Sequence, residues 1–217
     1  MATRDIAARI SRRARRSGVI VARDVAVQLG AYLELLSRWN QRINLTAFSL
    51  EPASDEAIDR LLVEPLAAAR QIRARDRLLI DIGSGGGSPG IPLKLAVPAL
   101  RTVLVEVKVR KSAFLREAVR HLGLSSVEVV NGRFEELLGR TGFLESADLV
   151  SVRAVRPDRR LWNGVQALLK PGGRVLWFGS AGGKSPSTLL PPLAVTARRT
   201  LVASLGSELS VVTKSDL

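Results

Sequence analysis

The stretch Leu78-Leu79-Ile80-Asp81-Ile82-Gly83-Ser84-Gly85-Gly86-Gly87-Ser88-Pro89-Gly90 runs from an apolar segment through one acid into a glycine-dense turn. A short apolar run closed by glycines reads as a buried strand, and Ile91-Pro92-Leu93 beyond it opens a helix. Glycines at 83, 85 and 87 let the backbone take positive φ and approach a ligand closely, while free amides at the helix start offer hydrogen bonds. The duller account is a tight turn with no ligand, but five glycines within eight positions carry a heavy cost in backbone entropy. The segment therefore reads as the floor of a nucleotide-cofactor site.

Downstream of Asp76, strands are expected near 78–82, 102–107, 127–131, 148–153 and 174–178, with helices at about 90–97, 111–122 and 158–169. This alternation is how βα crossovers building a parallel sheet read. Gly123 is a helix stop, and Pro171-Gly172-Gly173 turns the chain into the fifth strand. Upstream, the apolar spacing is helical at 4–16, 23–38 and 55–71, which divides the chain into a helical extension, 1–75, packed on a core domain, 76–217. The tail alternates weakly on either side of Gly206-Ser207 and reads as an antiparallel hairpin, preceded by a Gly-, Ser- and Pro-rich loop over 181–192. A nicotinamide-binding domain would add a sixth parallel strand instead. A Rossmann-like α/β fold whose mostly parallel sheet closes on a C-terminal antiparallel hairpin is the pattern of class I S-adenosylmethionine-dependent methyltransferases.

The cofactor reading has three parts. The loop is G-x-G-x-G, and the dinucleotide fingerprint G-x-G-x-x-G fails because position 88 is Ser. Glu106 ends the second strand about 20 residues beyond the turn, where a carboxylate accepts both ribose hydroxyls, a need that NAD and S-adenosylmethionine share. Asn131-Gly132-Arg133-Phe134-Glu135 ends the third strand, where an adenine rests among backbone amides and an apolar side chain; NAD sites do not require this. Singly, Glu106 also reads as a strand-end surface acid, and Glu135 and Glu136 as a solvated helix start.

Composition narrows the chemistry. The 217 residues contain no cysteine, which removes disulfides, zinc-thiolate and iron–sulfur sites, and methylation at pyrimidine C5 through a cysteine adduct. Thirty-three Lys+Arg against 20 Asp+Glu give +13, which favours a polyanionic partner. The basic rim would comprise the N-terminal arginines, Lys108, Arg110, Lys111, Arg156, Arg159 and Arg160. Arg9, Arg12, Arg13 and Arg16 share one helix face that fits phosphate, with a solvated surface as the alternative. Trp162 and Trp177 read as core, and His121, the only histidine, as a helix-end residue. No run of about 18 apolar residues exists to span a membrane. Asp5 interrupts the N-terminal arginine run, so a cytoplasmic protein is expected rather than a transit peptide.

The chain resembles the bacterial 16S ribosomal RNA guanine-N7 methyltransferases, also called glucose-inhibited division protein B. The resemblance lies in Trp39-Asn40-Gln41-Arg42-Ile43-Asn44-Leu45-Thr46, in Asp81 to Leu93, in the basic Lys108 to Leu115, and in Asp148 to Ala154. It implies S-adenosylmethionine as cofactor, 16S rRNA or the small ribosomal subunit as partner, a monomer and no metal. The resemblance implies cofactor contacts for Gly83, Ser88, Phe134, Glu135 and Arg153, to which the loop and strand-end reading adds Asp81, Gly85, Gly87 and Glu106; Arg153 also positions the target. Asn44 matches a structural or RNA-side position. The chain departs from the family in carrying Arg60…Glu64-Pro65 where relatives have His…Asp-Ser, and Phe178 where they have lysine. Guanine N7 suits such a site because its in-plane lone pair attacks without losing a proton, so no general base is needed. A same-fold methyltransferase with another RNA or protein target, and a non-catalytic RNA-binding paralogue, are the alternatives.

Overall fold

The computed structural model describes residues 3–180, 186 and 189–215. Most of the loop expected over 181–192 lies outside them. A seven-stranded sheet runs in the order β3-β2-β1-β4-β5-β7-β6. The strands are β1 (Leu78–Ile82), β2 (Arg101–Glu106), β3 (Val127–Asn131), β4 (Ala147–Arg153), β5 (Leu169–Ser180), β6 (Leu193–Thr200) and β7 (Ser207–Lys214). The first five are parallel, and β7 runs antiparallel to both β5 and β6. Because β1 pairs with β2 on one side and β4 on the other, the strand order reverses there, which opens a crevice at the carboxyl edge. Ile82 stands opposite Val105 and Val152, Glu106 opposite Asn131, and Arg153 opposite Phe178. The strand-end residues thus form one row.

Two boundaries differ from the sequence expectation. Strand β5 begins at Leu169, because Leu169 already pairs with Ala147; Pro171-Gly172-Gly173 is a bulge inside the strand, with Gly172 at φ 69 and a shift of pairing between Ala147 and Leu149. Strand β6 stops at Thr200, because a short 3₁₀ turn, Ala203–Leu205, ends on Gly206 in the left-handed region at φ 55.

Alternation along β1 and β2 sends side chains to two faces. Leu78, Ile80, Ile82, Val103 and Val105 pack with Trp162, Val165 and Leu168 of helix α7 (Arg159–Leu168). Trp162 and Trp177 lie in this core, ring centroids 5.4 Å apart. On the other face Leu104 joins α5 (Gly90–Ala96) and α6 (Val109–His121) to the N-terminal helices α1 (Thr3–Arg16) and α2 (Arg23–Asn40). Their shared apolar cluster includes Ile6, Ile10, Leu29, Tyr32, Leu36, Ile91 and Phe114.

The third helical segment is broken into α3 (Asp55–Ile58), a wide π-turn (Asp59–Val63), α4 (Glu64–Ala68) and a 3₁₀ turn (Ala69–Gln71). It changes the reading of the N-terminal arginines. Arg9 pairs with Asp55, while Arg13 pairs with Asp55 and donates from Nε and Nη2 to Asp59 at 2.6 and 2.5 Å. Arg9 and Arg13 therefore face protein carboxylates rather than phosphate, and Arg12 and Arg16 remain exposed. Asp59 is 4% exposed at its side chain and Arg13 14%. Removing one partner of a pair that is buried at one end falls between the exposed and fully buried cases. Arg13→Ala is therefore expected to lower unfolding stability by about 2 kcal/mol, read from urea titration of tryptophan fluorescence.

Candidate active site

Glu106 is held by the backbone. Its Oε2 accepts from Gly85 N at 2.9 Å and its Oε1 from Lys108 N at 2.8 Å, so the carboxylate is fixed at the end of β2 and ties the glycine loop to that strand. Each oxygen keeps a further lone pair for a hydroxyl. Beside it a cavity of about 210 Å³ is lined by Ile82, Gly83, Glu106, Phe134, Glu135 and Val155, among others. Phe134 opens a 3₁₀ turn, Phe134–Gly139, and leans on α7, where a Cβ at Gly164 would stand 2.4 Å from the ring. Glu135 is held by Arg160 at 2.5 Å.

Arg153 ends β4 on the other side of the loop. Its Nη1 donates to the Arg60 carbonyl at 2.5 Å and reaches Ser88 Oγ at 3.4 Å; its Nη2 donates to Glu64 Oε2 at 2.8 Å. The guanidinium carbon lies 4.7 Å from the centroid of the Phe178 ring, a cation–π contact. Three of the four departures from the family pattern, Arg60, Glu64 and Phe178, therefore touch Arg153. Glu64 also accepts from Arg60 Nη1 at 2.9 Å, and burial still pushes its carboxyl above the usual range against the pull of both arginines. The next residue, Ala154, sits at φ 56, a left-handed conformation that strains a non-glycine backbone at the mouth of the site.

Asp81 lies beneath the loop and does not line the cavity. Its Oδ1 accepts from Ser151 at 2.6 Å, its Oδ2 is buried without a partner, and a Cβ at Gly90 would come within 2.8 Å of that oxygen. Ser88 donates to the Leu61 carbonyl at 2.7 Å. Gly83, Glu106, Phe134 and Glu135 thus converge on one cavity, with Gly85 bound to its carboxylate, while Asp81 bonds Ser151, Gly87 packs by Ile91 and Tyr32, and Ser88 and Arg153 bond carbonyls of the π-turn; these four do not line it. Sequence reasoning missed three neighbours. Tyr32, fully buried, donates its hydroxyl to the Gly86 carbonyl; Val155 closes over Gly83, 3.0 Å from an ideal Cβ there; Asn40 accepts from the amides of Leu45 and Thr46 at 2.9 Å. The Asn40 role was readable from its place at the end of α2, where a short polar side chain caps the following turn. Asn44 is exposed and lines a cleft with Arg42, Lys108, Arg110 and Lys111. A larger hollow of about 780 Å³, between α2 and His121, lies away from the sheet's carboxyl edge and lacks these converging groups.

A glycine loop at the switch point, a strand-end carboxylate fixed by backbone amides and a reversed terminal strand define a class I methyltransferase fold. The O-methyltransferase from Bacillus cereus, solved in complex with SAH, shares that fold at TM-score 0.60 and 18% identity, covering 85% of this chain and 91% of that one. The family described as rRNA small subunit methyltransferase G matches residues 26–184, and the chain belongs to that family. Ribosomal RNA small subunit methyltransferase G of Chloroflexus aggregans is 35% identical over 193 residues, 89% of this chain and 76% of the relative. The Myxococcus xanthus protein of the same name is 36% identical over 162 residues, 73% and 71% of the two chains.

Burial raises the Asp81 carboxyl from 3.8 to about 6, against the hydrogen bond from Ser151 and the charge of Arg153. A carboxyl that binds its proton more tightly when folded contributes less stability as pH climbs from its unfolded to its folded value. Between pH 4 and 6 the stability difference between wild type and Asp81→Asn is expected to fall by about 2 kcal/mol, measured by denaturant titration at each pH. A flat difference would contradict burial as the cause.

Proposed function

We propose that this chain transfers a methyl group from S-adenosylmethionine to N7 of a guanine in 16S rRNA. The observation that carries the cofactor is Glu106: backbone amides hold both oxygens in place, and free lone pairs face a cavity bounded by Gly83 and Phe134. That pair of acceptors fits the two hydroxyls of a ribose with an adenine beside it. The cofactor, when bound, supplies a methyl group already activated on a sulfonium, so the chain's task is to hold the nucleophile close and aligned.

Guanine N7 loses no proton on attack, which agrees with the groups present. Tyr32 is kept protonated by burial, and His121 ends α6 beside α2. Arg153, about one fifth exposed at its side chain, keeps Nε and one Nη2 hydrogen free of partners among the described residues. It positions the base through O6 or holds the cofactor carboxylate, rather than abstracting a proton. RNA approaches over Asn44, Lys108, Arg110, Arg156 and Arg159, which are exposed around the same edge. Among the described residues no helix is long and apolar enough to cross a membrane. The protein acts as a monomer in the cytoplasm, and the reaction calls for no metal.

Incubation of the chain and labelled cofactor with small subunits from a strain lacking the modification should place label at a guanine N7, mapped by N7-sensitive strand scission. Label on an exocyclic amine, on protein, or nowhere would overturn the reading. Glu106→Gln places an amide where the chain supplies two donors, so its cofactor Kd by calorimetry is expected to rise about tenfold or more.

A further inference from the structure

The π-turn before α4 has an identifiable cause. Glu64 N donates to the Asp59 carbonyl, five residues back, so the ladder is one residue wider than an α-helix at this point. In that wider spacing the donor for the Arg60 carbonyl would be residue 65; in ordinary α spacing residue 65 would serve Leu61. Residue 65 is proline, which has no N–H and whose ring clashes with the carbonyl four residues back. The one amide that residue 65 would supply to either carbonyl is thus absent. Both are taken by side chains from the sheet's carboxyl edge: Arg153 Nη1 donates to Arg60 at 2.5 Å and Ser88 Oγ to Leu61 at 2.7 Å.

We propose that Pro65 is a positioning residue: by withholding an amide that would compete for the Arg60 or the Leu61 carbonyl, it keeps both open as acceptors for Arg153 and Ser88. The start of the turn is secured twice. Arg13 holds Asp59 at its start, and Arg60 Nη2 reaches the Leu205 carbonyl of the hairpin turn at 3.3 Å. Glu64, adjoining the proline, takes the second nitrogen of Arg153, so the guanidinium is set at three points: Nη1, Nη2 and its face on Phe178. The inference rests on the methyl-transfer reading only for what Arg153 and Ser88 then do.

Pro65→Ala restores an amide in a residue that favours helix, so the melting temperature should not drop. The new amide is expected to bond one of the two carbonyls, exchange slowly with solvent, and displace Arg153 or Ser88. Since misplacement of a positioning group by about 1 Å costs up to a hundredfold, kcat on small subunits should fall about tenfold or more. The KM for the subunits should change less than about twofold, because the RNA surface is untouched. Wild-type kcat in the variant would overturn the proposal whether or not the amide is protected, and so would a loss of kcat with a freely exchanging amide. The exchange measurement needs no substrate. A wild-type chain inactive on small subunits would therefore fail the functional reading and leave this test standing.

Discussion

A buried carboxylate between two guanidinium groups holds the helical N-terminal part on the working edge of the sheet. Glu64 lies in α4 and Arg153 ends β4, so the ion pair joins the two parts of the chain where the strand order reverses. Arg60, one helical turn before Glu64, supplies the second cation. Removing either arginine would leave the carboxylate with one partner in a site that penalises charge, and removing Glu64 would leave two cations adjoining. The arrangement fixes Arg153 at the carboxyl end of β4.

The glycine loop is braced from both sides by groups remote in sequence. Glu106 takes its Gly85 amide from the β2 side, and Tyr32 donates to its Gly86 carbonyl from the α2 side. A cofactor floor with this much backbone freedom needs such bracing, because glycines lose the most entropy on being ordered. The N-terminal helices are therefore part of the site's construction. Their apolar cluster continues into Ile91 and Leu104, directly beneath the loop.

Much of this was legible in the sequence. The five parallel strands, the closing hairpin and the G-x-G-x-G turn follow from apolar period and glycine placement, and Glu106 from its distance beyond the turn. What sequence could not convey were contacts between distant segments. Nothing local distinguishes Arg9 and Arg13 from Arg12 and Arg16, yet Asp55 and Asp59, more than forty residues on, claim the first two. Asp81 precedes the loop like a ligand residue, but the strand's alternation turns it away from the cavity toward Ser151 and Gly90. Arg60, Glu64 and Phe178 stood out only as departures from a pattern, and their common neighbour Arg153 appears only when β4, β5 and the π-turn meet. The π-turn itself had one sequence signal, the proline at 65.

The proposed cofactor site lies between Glu106, Phe134 and the glycine loop. A crystal structure of the chain with S-adenosylhomocysteine tests it most directly. Ribose hydroxyls are expected within hydrogen-bond distance of both Glu106 oxygens, with the adenine against Phe134. Ligand seated instead in the larger hollow beside His121, or a Glu106 carboxylate bonded to backbone amides alone, would contradict it.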